Sequence, residues 1–185
     1  RLGGNSLSDL LVFGKRSGKF AAEFAKEHSL GAIDMERVNG VARWALEPFE
    51  RGMNSNDSAG PYQIQHELQR MMQELVGIVR NEKEMLEALD EIDGLKERAS
   101  QAAVHGNREY NAGWHTALDL ANLLTVSEAI TRSAIERKES RGGHFREDYP
   151  DKDKSFGEFN IVVRRGQGGE MKVVREKIPA LPAEL

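Results

Sequence analysis

Two groups of residues in this chain have types and spacing that suit chemistry. The first opens the sequence. Arg1-Leu2-Gly3-Gly4-Asn5-Ser6-Leu7 sets a guanidinium, a glycine pair and two small polar residues directly before an apolar, small-residue helix. Glycines let backbone come close to a ligand. A helix N-terminus adds free N–H groups and a positive dipole end. The second group lies far downstream, where Arg141, His144 and Arg146 surround Gly142-Gly143. These cations suit an anion site, but residues 136–154 hold six basic and six acidic side chains. Ion pairs with Glu139, Glu147 and Asp148 are therefore the favoured arrangement, with the glycine pair permitting a sharp turn. His144 is of a type that titrates near neutrality, and nothing beside it makes it a base.

The elements that must position these groups are mostly helices. Apolar and small residues from Leu7 to Ala25 recur at helical spacing, predicting a helix over about 6–26. Gly14 and Gly18 weaken it by roughly 1 kcal/mol each relative to Ala, which implies something packed very close on that face. A short amphipathic piece over about 34–50 is expected to end near Pro48, and the polar, turn-prone residues 52–60 read as a flexible linker. Pro61 suits a first-turn position, and Ile64, Leu68, Met71, Leu75 and Val79 continue as one stripe. Asn81 and Glu84 form a capping box for the next helix, whose apolar face is Met85, Leu89, Ile92, Ala99 and Ala103. After Gly106-Asn107 a long helix over about 108–138 carries Tyr110, Trp114, Leu118, Ala121, Leu124 and Ile135. Beyond Pro150, two β-branched runs at 159–164 and 171–175, separated by Gly166-Gln167-Gly168-Gly169, predict a β-hairpin, followed by an extended tail. The fold class is thus mainly α: a terminal helix, an antiparallel three-helix bundle and a C-terminal hairpin.

Composition bounds the partners. The 185 residues are 39% apolar with a mean hydropathy of −0.57, and no run is long enough to span a membrane. With no cysteine, disulfides and cysteinate ligation of metals or iron–sulfur clusters are excluded. His28, His66, His105 and His115 have no metal-binding spacing. A net charge of −4 with both signs interspersed gives no footprint for nucleic acid. The chain lacks an initiator methionine and begins inside an element, so it reads as the C-terminal part of a larger protein.

The opening run, followed by Val12-Phe13-Gly14-Lys15, resembles the R-L-G-x-N-S-L and V-F-G-R/K segment of the succinate dehydrogenase/fumarate reductase flavoprotein family. Arg137 to Pro150 resembles that family's R-K-E-S-R-G-x-H-x-R-x-D-Y/F-P signature. Pro61-Tyr62, Glu67-Leu68-Gln69, Met72 and Gly77-Ile78-Val79-Arg80 match its helical domain, in order. The resemblance covers almost the whole chain.

That resemblance implies residues 1–60 as the end of an FAD-binding domain plus linker, 61–140 as the bundle, and 141–185 as the motif, hairpin and tail. It implies that Arg1 binds a carboxylate of the dicarboxylate substrate and that Asn5, Ser6 and Leu7 hold FAD. Their backbone N–H groups would face the pyrimidine edge of the flavin, where the helix dipole stabilises the reduced anion by about 0.3–1 kcal/mol. Ser6 as an ordinary N-cap is compatible with this. The flavin-linking His and the proton-delivering Arg of the family lie upstream of Arg1, and the G-x-G-x-x-G fingerprint is absent. No catalytic residue is therefore expected here, and the fragment alone should be inactive and not retain FAD. The parent would interconvert succinate and fumarate and pass electrons to an iron–sulfur subunit. Through that subunit it would reach a membrane anchor, at the cytoplasmic, inner face of the membrane. Faces bared by the missing domain could pair two fragments as a homodimer. L-aspartate oxidase, a soluble relative with a similar N-S-L helix and S-R-G-x-H element, is the alternative. A helical interaction module without redox chemistry is a third reading.

Overall fold

The structure is a computed structural model that describes residues 4–54 and 60–180. The chain gathers into two compact units, Arg1–Ala42 and Arg43–Leu185.

The first unit holds α1 (Asn5–Glu27) and the start of α2 (Met35–Asn54). Helix α1 follows the expected span and ends where His28 leaves helical geometry and its N–H returns to Phe24 O. The Asp34 carboxylate begins α2 by accepting from the N–H groups of Glu36 and Arg37.

The second unit carries the core. Helix α2 does not stop at Pro48 but runs through it to Asn54. The proline removes one helical donor, and three bonds tie this part of the helix to other segments of the unit. Trp114 Nε1 donates to Ala45 O at 2.6 Å, Val104 N to Pro48 O at 2.9 Å, and Arg51 Nε to Ala102 O at 2.9 Å. Buried Gly52 lets the 102–104 segment come this close, because a Cβ there would overlap the Val104 carbonyl.

Three helices, α3 (Pro61–Leu75), α4 (Glu82–Ser100) and α5 (Ala112–Glu136), pack pairwise around one core. Ile64, Leu68 and Met71 face Ala88, Ile92 and Leu95, with Leu120 and Leu124 closing it. The spacing of three and four puts each set on one stripe. Four details depart from the sequence pattern. Helix α4 ends at Ser100, which leaves Ala103 outside it. Val79 leaves the α3 stripe, because the helix ends at Leu75 and Val79-Arg80 form strand β1. Helix α5 starts at Ala112 rather than 108, since Tyr110 has a positive φ of 53° and Asn111 supplies the N-cap to Trp114 N. The buried face of α5 then runs through Leu120, Leu124, Ser127, Thr131 and Ala134, and Tyr110 is fully exposed.

Strand β1 pairs in parallel with β2 (Phe145–Arg146), bringing the downstream motif against the end of α3. A short 3-10 turn at Lys154–Gly157 leads into the hairpin of β3 (Phe159–Arg165) and β4 (Met171–Lys177), with Val162 opposite Val174. Arg175 ties the hairpin to α5 through Glu136 at 2.5 Å and lies over Phe156 and Phe159. Residue 181 onward, the end of the expected tail, lies outside the described residues.

Candidate functional site

Of the opening group, Arg1 lies outside the described residues and Asn5 is described only in its backbone. Gly4 occupies the N-cap of α1 with φ 86° and no side-chain hydrogen bond to the helix. That conformation suits a glycine, and a Cβ there would meet nothing within 4 Å. Ser6 is therefore a residue of the first turn rather than the cap. The N–H groups of Asn5, Ser6 and Leu7 are the first three of the helix, which have no intrahelical acceptor. Leu7 is 71% exposed, and Leu10, Leu11, Phe13, Phe20 and Phe24 are exposed beyond it. Nothing lies within 4 Å of a Cβ built at Gly14 or Gly18. The close packing expected at these glycines is not found among the described residues. The space around Gly4 and the open N–H groups fit the electron-rich edge of a flavin.

The downstream group is built in the opposite manner. Arg146 is fully buried. Its Nε and Nη2 grip the Asp148 carboxylate with two bonds of 2.7 Å, the strong bidentate geometry. Nη1 donates to the carbonyls of Ala134 and Ile135 at the end of α5, and to that of Arg137. The second oxygen of Asp148 also accepts from Glu82 N at 3.0 Å, joining Asn81 Oδ1 in capping α4. A cation thus sits at one helix C-terminus and an anion at the next N-terminus, each favoured by the local dipole. The Arg146 bonds hold the Asp148 carboxyl down at about 2 against its burial, and Glu82 N–H adds to this.

Glu139 is likewise fully buried. It takes Arg141 Nε at 2.7 Å and Nη2 at 3.0 Å, Arg137 Nη1 at 2.7 Å and Asp153 N at 2.9 Å. The Arg141 bonds lead in holding its carboxyl at about 2, against burial, with Asp153 N–H and Arg137 assisting. Ser140 Oγ fixes the turn by accepting from Arg146 N and donating to Tyr149 O. The expected pairing of Arg141 and Arg146 with Glu139 and Asp148 is what forms. His144 and Glu147 depart from it. Glu147 reaches Asn81 Nδ2 at 3.4 Å, and among the described residues His144 pairs with no carboxylate. Its Nε2 faces Arg137 O at 3.0 Å and must donate, while Nδ1 faces Arg80 Nη1 at 2.7 Å and must accept. Burial, reinforced by the charges of Arg80, Arg146 and Arg137, pushes the His144 pKa down, against the bond to Arg137 O. His144 is thus neutral and committed to two partners, which excludes it as a free base.

Sequence reasoning missed the role of Asp148 as a cap for α4 and the contact of Arg80 with His144. Both span 64 or more residues, so only the isolated Arg80, with no acidic residue immediately preceding it, gave any signal. Among the described residues no group of three His, Asp or Glu side chains is placed to hold a metal, and no helix is long and apolar enough to cross a membrane.

Residues 65–181 match the family model for the fumarate reductase flavoprotein C-terminal region. The chain belongs to the succinate dehydrogenase/fumarate reductase flavoprotein family. It is 33% identical, over 94% of its length, to a fumarate reductase flavoprotein subunit of Mycobacterium tuberculosis. The corresponding subunit of Haemophilus influenzae is 38% identical over 83% of the chain. Among solved structures, the Mycobacterium smegmatis Sdh1 complex in the apo form superposes over the whole chain with a TM-score of 0.88 and 41% identity. The chain spans 30%, 25% and 32% of these three family members' own lengths, less than a third in each case. Family membership agrees with the opening and downstream motifs.

Proposed function

We propose that the chain is the C-terminal region of a flavoprotein subunit that interconverts succinate and fumarate by hydride transfer to and from FAD, and hands electrons to an iron–sulfur subunit. The observation that carries this reading is the open N-terminus of α1, set behind Gly4 at positive φ, in a chain of this family. FAD would supply the hydride acceptor. The backbone N–H groups of Asn5, Ser6 and Leu7 would hold its pyrimidine edge and favour negative charge there. Arg1 would fix one carboxylate of the dicarboxylate by a bidentate pair. The bundle and its ionic clasp would support these residues without touching the reacting atoms. The fragment alone would neither turn over nor keep FAD. The parent would sit against a membrane through its partner subunits.

The test uses the full-length parent, kept anaerobic, with its flavin absorbance followed on adding succinate or L-aspartate. Bleaching by succinate alone is expected. Bleaching by L-aspartate alone would move the parent to the oxidase branch, and absence of flavin would sink the redox reading of residues 1–7. Arg1→Ala in the parent should raise KM for succinate and lower kcat, while unchanged kinetics would remove Arg1 from the site.

A further inference from the structure

Four arginines meet near the end of α5, and three of them are neutralised. Arg146 holds Asp148, and Arg137 and Arg141 share Glu139. Arg80 differs. It is half-buried, and its acceptors are the carbonyls of Val76 and Gly77 and the Nδ1 of His144. Among the described residues no carboxylate pairs with it. A guanidinium withdrawn from water without an anion is costly, and the cost grows beside the like charge of Arg146.

Arg80 and His144 line an open groove of about 450 Å³, whose other walls include Val126, Ala129, Ile130 and Ser133 of α5. Val126 and Ile130 are 56% and 44% exposed, so aliphatic surface lies bare beside an uncompensated cation. That combination calls for a carboxylate carried on an apolar neighbourhood. The groove is too open to enclose a small molecule, which points to a polypeptide occupant. The chain spans 32% of the 41%-identical family structure, so most of the homologous polypeptide lies beyond it. A segment on the same polypeptide also has a large effective concentration over any separate partner.

We propose that this groove seats an acidic side chain, flanked by aliphatic ones, from the part of the longer flavoprotein polypeptide outside these 185 residues. The proposal rests on reading the chain as part of that longer polypeptide. The test places the photo-cross-linker p-benzoylphenylalanine at Ile130 in the full-length protein and maps the product by mass spectrometry. An intramolecular cross-link to a peptide bearing Asp or Glu beside Leu, Ile or Val is expected. Arg80→Gln should reduce its yield roughly thirtyfold, the low end of what truncating one partner of a desolvated charge pair costs, and Arg80→Lys should reduce it less. Because the mapping is done with Arg80 intact, poor folding of a variant does not blunt it. A cross-link to a different polypeptide, a cross-link to a peptide without acidic residues, or no cross-link would each overturn the proposal. Flavin absorbance and succinate bleaching are read on the same preparation. Their loss would sink the functional reading and leave the mapped cross-link standing.

Discussion

Helix ends are handled in opposite ways at two places in this protein. Between α5 and α4 the helix-end groups find charged partners inside the fold. Arg146 covers carbonyls at the end of α5, Asp148 covers a donor at the start of α4, and the two grip each other. At the start of α1 the cap is a glycine that offers no side chain, no side-chain hydrogen bond caps the helix among the described residues, and a row of Leu and Phe side chains is exposed. Buried polar groups are normally satisfied, and large exposed apolar faces normally mark interaction surfaces. The clasp is therefore structural and finished, whereas α1 presents surface and donors for something else. Charge density alone misleads: the segment richest in cations is the one least available to a ligand.

The largest test of this contrast is Arg146→Ala. It takes a partner from the Ala134 and Ile135 carbonyls and from part of Asp148, while Arg137 O keeps His144, and should lower the unfolding free energy by about 3–5 kcal/mol. A urea midpoint reads it. A loss below about 1 kcal/mol would mean the clasp is not what holds the helix ends, and the contrast with α1 would collapse.

How far the sequence showed all this depends on the range of each interaction. The helices were visible because their signals are local: the 64/68/71 stripe, Pro61 and the Asn81 cap each act within a turn or two. The Arg141–Glu139 and Arg146–Asp148 pairs were legible for the same reason, since each spans two residues. What stayed hidden is long-range. The continuation of α2 through Pro48 depends on Trp114 and Val104. The departure of Val79 from α3 depends on Phe145. The face of α5 was misplaced by starting its period at Tyr110, which stands outside the helix. For the α1 site, composition and spacing showed only glycines before a helix. A ligand there is implied by the family resemblance alone.

Acid should separate the two regions next. The folded Glu139 carboxyl sits near 2, well under its ordinary 4.5. Its stabilisation is therefore complete above about pH 4.5 and is lost as pH falls towards 2, on the order of 2 kcal/mol for so buried a group. Asp148 adds a limb in the same direction from its ordinary 3.8. His144 acts earlier. Its folded pKa is depressed, so the unfolded chain takes the proton first and stability begins to fall below about pH 6.5. Urea midpoints from pH 8 to 2 should show a shallow decline and then a steeper one, and Glu139→Gln should remove much of the second. If the acid limb survives Glu139→Gln unchanged, carboxylates other than Glu139 dominate acid unfolding.

The smallest effect is the most informative about α1, because its sign should reverse with context. Gly14 is in a helix interior, where Ala is favoured by roughly 1 kcal/mol. Among the described residues nothing lies within 4 Å of a Cβ at that position. Gly14→Ala should therefore raise the helix content of the 185-residue chain slightly, read by far-ultraviolet circular dichroism. In the full-length parent, a glycine kept at that helical cost implies a neighbour within contact distance. There the same added methyl should lower Tm by a few degrees. Stabilisation in both settings would show that no tight neighbour covers this face. Destabilisation in both would show that α1 is already packed in the shorter chain, contrary to the open surface at Gly14. Only the reversal fits a helix whose partner is contributed by the rest of the flavoprotein.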